Sequence, residues 1–200
     1  ARDLYKFVAE KNQSALPPDK EIARFMLAEL EFFQGNIDTA RALYVKIVQN
    51  SKSDAANDAF KRISIIDASI EFVKGLKAYS TAELLLFQNK KNEAIKYYQE
   101  ASESSKNSKL SETSLMKLSE IYFELKMYDN AISSINALIA ENAESIFADD
   151  AYMMLGDCYT AQNKTAEAIK AYSDLLVKFP DSVMLQQARK KIRLLRNEKN

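Results

Sequence analysis

The chain has 200 residues and not one histidine. That absence removes the commonest general base, the commonest transition-metal ligand and every histidine-dependent triad. One cysteine remains, Cys158. A thiol becomes a nucleophile only where a base or a positive charge lowers its pKa. Cys158 stands one residue before a packing tyrosine, Tyr159, and reads as a buried thiol. A single cysteine also excludes an internal disulfide and a cysteine-based zinc cluster. Asp149 and Asp150 are adjacent carboxylates, but neighbouring helical side chains diverge by about 100° and do not share a site. The pair reads as a solvated helix start. Glycines at 35, 75 and 156 stand alone, so there is no phosphate loop and no dinucleotide fingerprint. The expectation is a protein that is not an enzyme and holds no metal or cofactor. The chemistry left to it is recognition.

Composition narrows what could carry that recognition. Nearly half of the chain, 47%, is apolar, while glycine and proline number three each, far below their usual shares of about 7% and 5%. Folds built on many tight turns need more glycine than that. Long helices joined by short polar turns remain. Twenty-eight basic residues balance twenty-eight acidic ones, so no global charge points to nucleic acid or an anionic membrane. No apolar run approaches the ~20 residues of a membrane span. Low cysteine fits the cytosol and also a bacterial periplasmic protein. The chain begins ARDLYKF, without an initiator methionine or a signal-peptide core, and is expected to be processed or to be the C-terminal part of something longer.

The elements reveal themselves through repetition. Residues 88–96 read QNKKNEAIK and residues 162–170 read QNKTAEAIK, 74 residues apart. Midway, 37 residues from each, residues 125–133 read LKMYDNAIS, and residues 34–42 read QGNIDTARA. Self-similarity at such a period predicts a stack of supersecondary units. Extended, the matches give helix–turn–helix units over 75–108, 112–145 and 149–182, with a looser copy over 21–54. In 149–182 the marked positions are Tyr152, Leu155, Gly156, Tyr159, Ala168, Tyr172, Leu175 and Pro180. This pattern resembles the tetratricopeptide repeat. The equivalents in 112–145 are Leu115, Leu118, Ser119, Tyr122, Ala131, Ile135 and Leu138. In 75–108 they are Ala78, Thr81, Ala82, Leu85, Ala94, Tyr98 and Ala101. Small residues fall where the two helices of a hairpin cross, and Pro180 stops a helix because it lacks the next hydrogen-bond donor.

The resemblance implies an all-α, right-handed α-solenoid of helix hairpins closed by a C-terminal capping helix. Three extra residues per period, at 109–111 and 146–148, are expected to lengthen the outer turns. The first and second repeats are 54 residues apart, 37 plus 17, which predicts an additional helix over 53–67 within an irregular insert spanning 53–70. A long helix over 70–88 should follow it. Residues 3–12 predict another helix, ended by LPP at 16–18. Residues 181–196 predict the capping helix, with Asp181 or Ser182 as its N-cap and a stripe of Leu185, Ala188, Ile192 and Leu195. The segment Lys178–Ser182 with the helix after it is also similar to bacterial envelope repeat proteins, which leans the expected location toward the periplasm.

In tetratricopeptide stacks the fifth, ninth and twelfth residues of each repeat line the concave face. Here the resemblance assigns Phe25, Glu29 and Phe32; Tyr79, Glu83 and Leu86; Met116, Glu120 and Phe123; and Met153, Asp157 and Thr160. The ninth position is acidic four times, between mostly apolar shoulders. That implies a scaffold binding a protein or peptide that carries basic and apolar residues. The alternative is that the acids are plainly solvated and the apolar residues tucked into the stack. The carboxylate-clamp form of the family needs Lys and Asn at the fifth and ninth positions and is excluded. A regulatory arm of a larger enzyme or envelope-assembly complex stays open. An RNA-binding helical repeat would need a basic face.

Overall fold

The computed structural model describes residues 1–50 and 53–197; residues 51–52, inside the repeat expected over 21–54, lie outside them. Among the described residues there are eleven α-helices and no strands. They divide into two compact units, Ala1–Leu110 and Ser111–Asn200.

In the first unit α1 (Arg2–Lys6) runs into a π-helical turn (Phe7–Lys11), so the helix expected over 3–12 is two short pieces. α2 (Pro17–Phe33) carries Pro17 and Pro18 in its first turn. The LPP sequence therefore opens a helix instead of ending one, because the first helical amides need no intrahelical acceptor. α2 packs on α3 (Ile37–Asn50), and α3 on α4 (Asp54–Asp67). α4 is the helix predicted outside the repeat pattern. Its N-cap is Ser53, whose hydroxyl accepts from the Ala56 amide at 3.3 Å. α5 (Val73–Phe87) and α6 (Lys91–Glu103) form the next hairpin.

The second unit holds α7 (Lys109–Glu124) from Ser111 onward, α8 (Tyr128–Glu141), α9 (Ala148–Ala161), α10 (Thr165–Lys178) and α11 (Leu185–Asn197). α9 packs on α8 and α10, and α10 on α11. Residues 109–111 form the first turn of α7, which corrects their assignment to a longer outer turn. α11 also starts later than expected. Ser182 is not its cap: the hydroxyl accepts from the Met184 amide at 3.1 Å and donates to Asp149 at 2.7 Å. Ser145, 37 residues earlier, accepts from the Phe147 amide at 3.2 Å and donates to Glu112 at 2.6 Å. A serine thus pins each inter-hairpin loop to the first turn of the preceding first helix. Asp149 is accordingly bonded, not merely solvated.

The repeated QNK letters have a backbone cause. Gly35, Asn89, Lys126 and Asn163 have φ of 75°, 59°, 60° and 59°, at spacings of 54, 37 and 37 residues. Each sits just past a first helix. At Asn89 the following amide, Lys90, bonds Leu85 O at 2.8 Å, and Lys164 bonds Tyr159 O at 2.9 Å in the same way. This left-handed ending satisfies the last carbonyls of the helix, and Gly and Asn tolerate it best.

Behind each turn the small residues meet the partner helix. Ala40, Ala94, Ala131 and Ala168 are each fully buried. The other crossing position reads Ala28, Ala82, Ser119 and Gly156. Buried Ser119 donates to Leu115 O at 2.8 Å, satisfying its hydroxyl within its own helix. At Gly156 a Cβ would lie 2.3 Å from Tyr172 Cε1, so any side chain there must displace that ring. No described helix is long and apolar enough to cross a membrane.

Candidate functional site

The ninth-position acids are not alike. A tyrosine fifteen residues on, in the second helix of the same hairpin, meets three of them. Tyr44 donates to Glu29, Tyr98 to Glu83 and Tyr172 to Asp157. All three rings are buried to within 1% exposure. Burial, reinforced by the adjacent carboxylate, raises each phenol well above its ordinary value, so each hydroxyl stays a donor. A hydrogen bond to a charged acceptor contributes about 1.5–3 kcal/mol, so these locks help hold each hairpin closed. In the repeat pattern Tyr98 and Tyr172 stand only as marked positions, with no role toward the acids. An acid followed by tyrosine at fifteen residues, three times over, was the available signal.

In the first unit the acids are also filled from outside the repeat pattern. Arg62 of α4 donates from Nε to Glu29 at 2.9 Å and from its terminal nitrogen at 2.8 Å. The same guanidinium lies 2.7 Å from Glu83 and 5.0 Å above the Phe32 ring. The Arg62, Glu29 and Glu83 side chains are 16%, 7% and 12% exposed. Glu29 and Glu83 are therefore not an open acidic stripe. The insert helix α4 supplies the cation that closes them. Phe32 and Tyr79 are buried and meet edge to face at 6.3 Å, and half-buried Phe25 leans on Tyr44 at 5.8 Å. These are packing residues, and Leu86 is half-buried.

The second unit differs. Asp157 receives Lys191 from α11 as well as Tyr172, and the lysine ammonium lies 5.7 Å over the Tyr172 ring. Thr160 is exposed and donates to Gly156 O of its own helix at 2.8 Å. Glu120 has no tyrosine: the residue fifteen on is Ile135, fully buried. Its side chain is 41% exposed, and the cation beside it is Lys117, one turn back on the same helix at 2.8 Å.

Around Glu120 lies a groove of about 340 Å³. From α7 it is lined by Thr113, Met116, Lys117, Glu120 and Phe123, and from α9 by Asp150, Met153, Met154 and Asp157, with Phe147 at the head of α9. Five of the twelve assigned positions, Met116, Glu120, Phe123, Met153 and Asp157, are thus brought together. Asp150 and Phe147 were missed, since neither falls on a fifth, ninth or twelfth position. No described cation pairs with Asp150. Burial, with Asp149 and Glu120 nearby, pushes its carboxyl above the usual range. Apolar and sulfur-bearing walls with unmatched negative charge can receive a cationic, partly apolar segment. Cys158 is buried, its thiol pushed up to about 12, chiefly by burial.

No curated protein sequence matches the chain. Among solved structures it is similar to YrrB, a TPR protein with an unusual peptide-binding site, at 18% identity and a TM-score of 0.50 over 95% of this chain and 100% of that one. At that identity the likeness speaks to the fold. Residues 74–194 match the tetratricopeptide repeat-like domain, more than half of the chain, and the protein belongs to that family.

Proposed function

We propose that this protein is an interaction module whose receptive surface is the groove around Glu120, binding a protein segment that carries basic and apolar side chains. Its lining comes from the repeats read over about 112–145 and 149–182, and the same reading places two further repeats over about 21–54 and 75–108. The observation that carries the reading is the exchange of tyrosine for Ile135. It leaves Glu120 without the hydroxyl that locks the other three ninth-position acids, on a wall of methionine and phenylalanine. Buried apolar anchors would hold the segment, and the acids would steer its approach. Membership of a repeat family built for protein contacts, and a fold shared with a peptide-binding neighbour, support it.

The test is selection of 12-residue peptides from a display library on the immobilised chain. Enriched sequences should combine Lys or Arg with large apolar residues and should bind more weakly as salt rises. Glu120→Lys with Asp150→Lys should abolish their binding while leaving helicity unchanged. Glu83 is not a clean site for reversal, because an ammonium there would face buried Arg62. Enrichment of acidic peptides, or binding indifferent to the double reversal, would overturn the proposal.

A further inference from the structure

The chain contains an occupied copy of the open site. Glu29 and Phe32 stand three residues apart on α2, at the ninth and twelfth repeat positions. They hold the Arg62 guanidinium by two hydrogen bonds, at 2.9 and 2.8 Å, and a ring contact at 5.0 Å. Glu120 and Phe123 have the same residue types, spacing and repeat positions on α7. Both line the groove. The other ninth-position acids already have cations from elsewhere in the chain: Glu29 and Glu83 share Arg62, and Asp157 has Lys191. Among the described residues the cation beside Glu120 is the local Lys117, in a pair whose side chains are 36% and 41% exposed. Exposed pairs at this spacing contribute little and part readily.

We infer that Glu120 and Phe123 form a guanidinium-receiving subsite, and that the partner segment in the groove seats an arginine there. The inference rests on the groove reading above and adds the identity of the anchoring side chain. Arginine suits the pair better than lysine. Its planar fork can address both carboxylate oxygens while its face lies on the ring, as Arg62 does over Phe32. An ammonium would make the charge contact without the fork. Apolar side chains flanking the arginine would meet Met116, Met153 and Phe147.

The chain's own arginine-bearing helix supplies the probe. A synthetic peptide of residues 57–66, NDAFKRISII, capped at both ends, carries Arg62 with Phe60, Ile63 and Ile66 and one more basic than acidic side chain. It is titrated into the 200-residue protein beside versions with Arg62→Lys and Arg62→Gln. Binding is followed by NMR at the methionine methyls and by fluorescence anisotropy. The expected result is shifts at Met116 and Met153 and affinity about fivefold higher for the arginine peptide than for the lysine one. The glutamine peptide should be weaker still. Glu120→Gln and Phe123→Leu, each checked for native helicity, should erase the arginine preference, and Lys117→Ala should strengthen binding. If all three peptides shift the methionines with equal affinity, the arginine subsite is wrong while the groove stands. If none of them reaches the groove, both readings fall.

Discussion

Gly156→Ala tests the central packing claim, because two effects of opposite sign compete there. Alanine in a helix interior is favoured over glycine by about 1 kcal/mol. Against this, the new Cβ would lie 2.3, 2.5 and 2.6 Å from Cε1, Cδ1 and Cζ of Tyr172. Ordinary carbon contacts are about 3.5–4.0 Å, so the ring must retreat by roughly 1 Å. It has little freedom to do so. Tyr172 is 1% exposed, its hydroxyl is held by Asp157, and Lys191 lies 5.7 Å from its ring centroid. Overpacking of this kind costs about 1–3 kcal/mol. Pulling the hydroxyl off a charged acceptor adds about 1.5–3 kcal/mol. The clash outweighs the propensity gain: the low ends of the two costs already leave about 1.5 kcal/mol, and a net loss of at least about 2 kcal/mol is expected.

In a unit of about 90 residues that loss lowers the melting midpoint by roughly 8–16 °C. Differential scanning calorimetry gives the midpoint, and hydrogen exchange should place the loss in residues 149–196. Tyr172→Ile installs the side chain that the preceding repeat uses at Ile135. Combined with Gly156→Ala, it should cost less than the sum of the two single changes, with a coupling above ~1 kcal/mol. A Gly156→Ala protein that melts at or above the wild type would refute the wedge between Gly156 and Tyr172.

Arg62→Met should destabilise residues 1–110 by about 3–5 kcal/mol, since it strands Glu29 and Glu83 without their cation. Adding Glu29→Gln and Glu83→Gln should restore most of the loss in a urea titration; no restoration would mean that Arg62 acts by packing alone. Asp150→Asn should leave the free protein as stable or more stable while weakening partner binding. Because the Asp150 carboxyl is raised by burial, Asp149 and Glu120, the folded state holds more protons there. Its contribution to stability should therefore fall as pH rises from the usual carboxylate range through the raised value. A melting series on Asp150→Asn that keeps the wild-type pH slope would contradict this.

The period and the helix crossings were legible because sterics leave few residue choices. Four fully buried alanines stand at the crossings, and the left-handed turns restrict the letters after each first helix. α4 could be placed by counting, since 17 residues beyond the period make about one helix. Its contribution could not be. Arg62 belongs to no repeat, so no periodic argument assigns it to Glu29 and Glu83. The acid–tyrosine locks lay across two helices, where spacing along one helix face says nothing. LPP is ambiguous along the sequence because proline suits the first turn of a helix as well as the end of the one before it. The groove acids were recognised as a class, but which of them stays open depends on residues outside the concave positions.

That dependence has an energetic logic. A buried carboxylate needs donors, and removing one costs the desolvation of the group left behind. Glu29 and Glu83 are deeply shielded, and each has a phenol and a share of Arg62. Replacing Tyr44 or Tyr98 by isoleucine would leave a shielded charge short of a partner. At Ile135 the exchange is tolerable only because Glu120 is 41% exposed and can be hydrated. Hydration then has to be given up when a partner arrives, so an incoming group must replace the water with at least equal hydrogen bonding. A guanidinium does this with two donors in one plane, and the phenyl ring of Phe123 offers its other face a surface that water solvates poorly. On the proposed reading, one tyrosine-to-isoleucine difference between repeats turns an internal lock into a surface with a defined chemical preference.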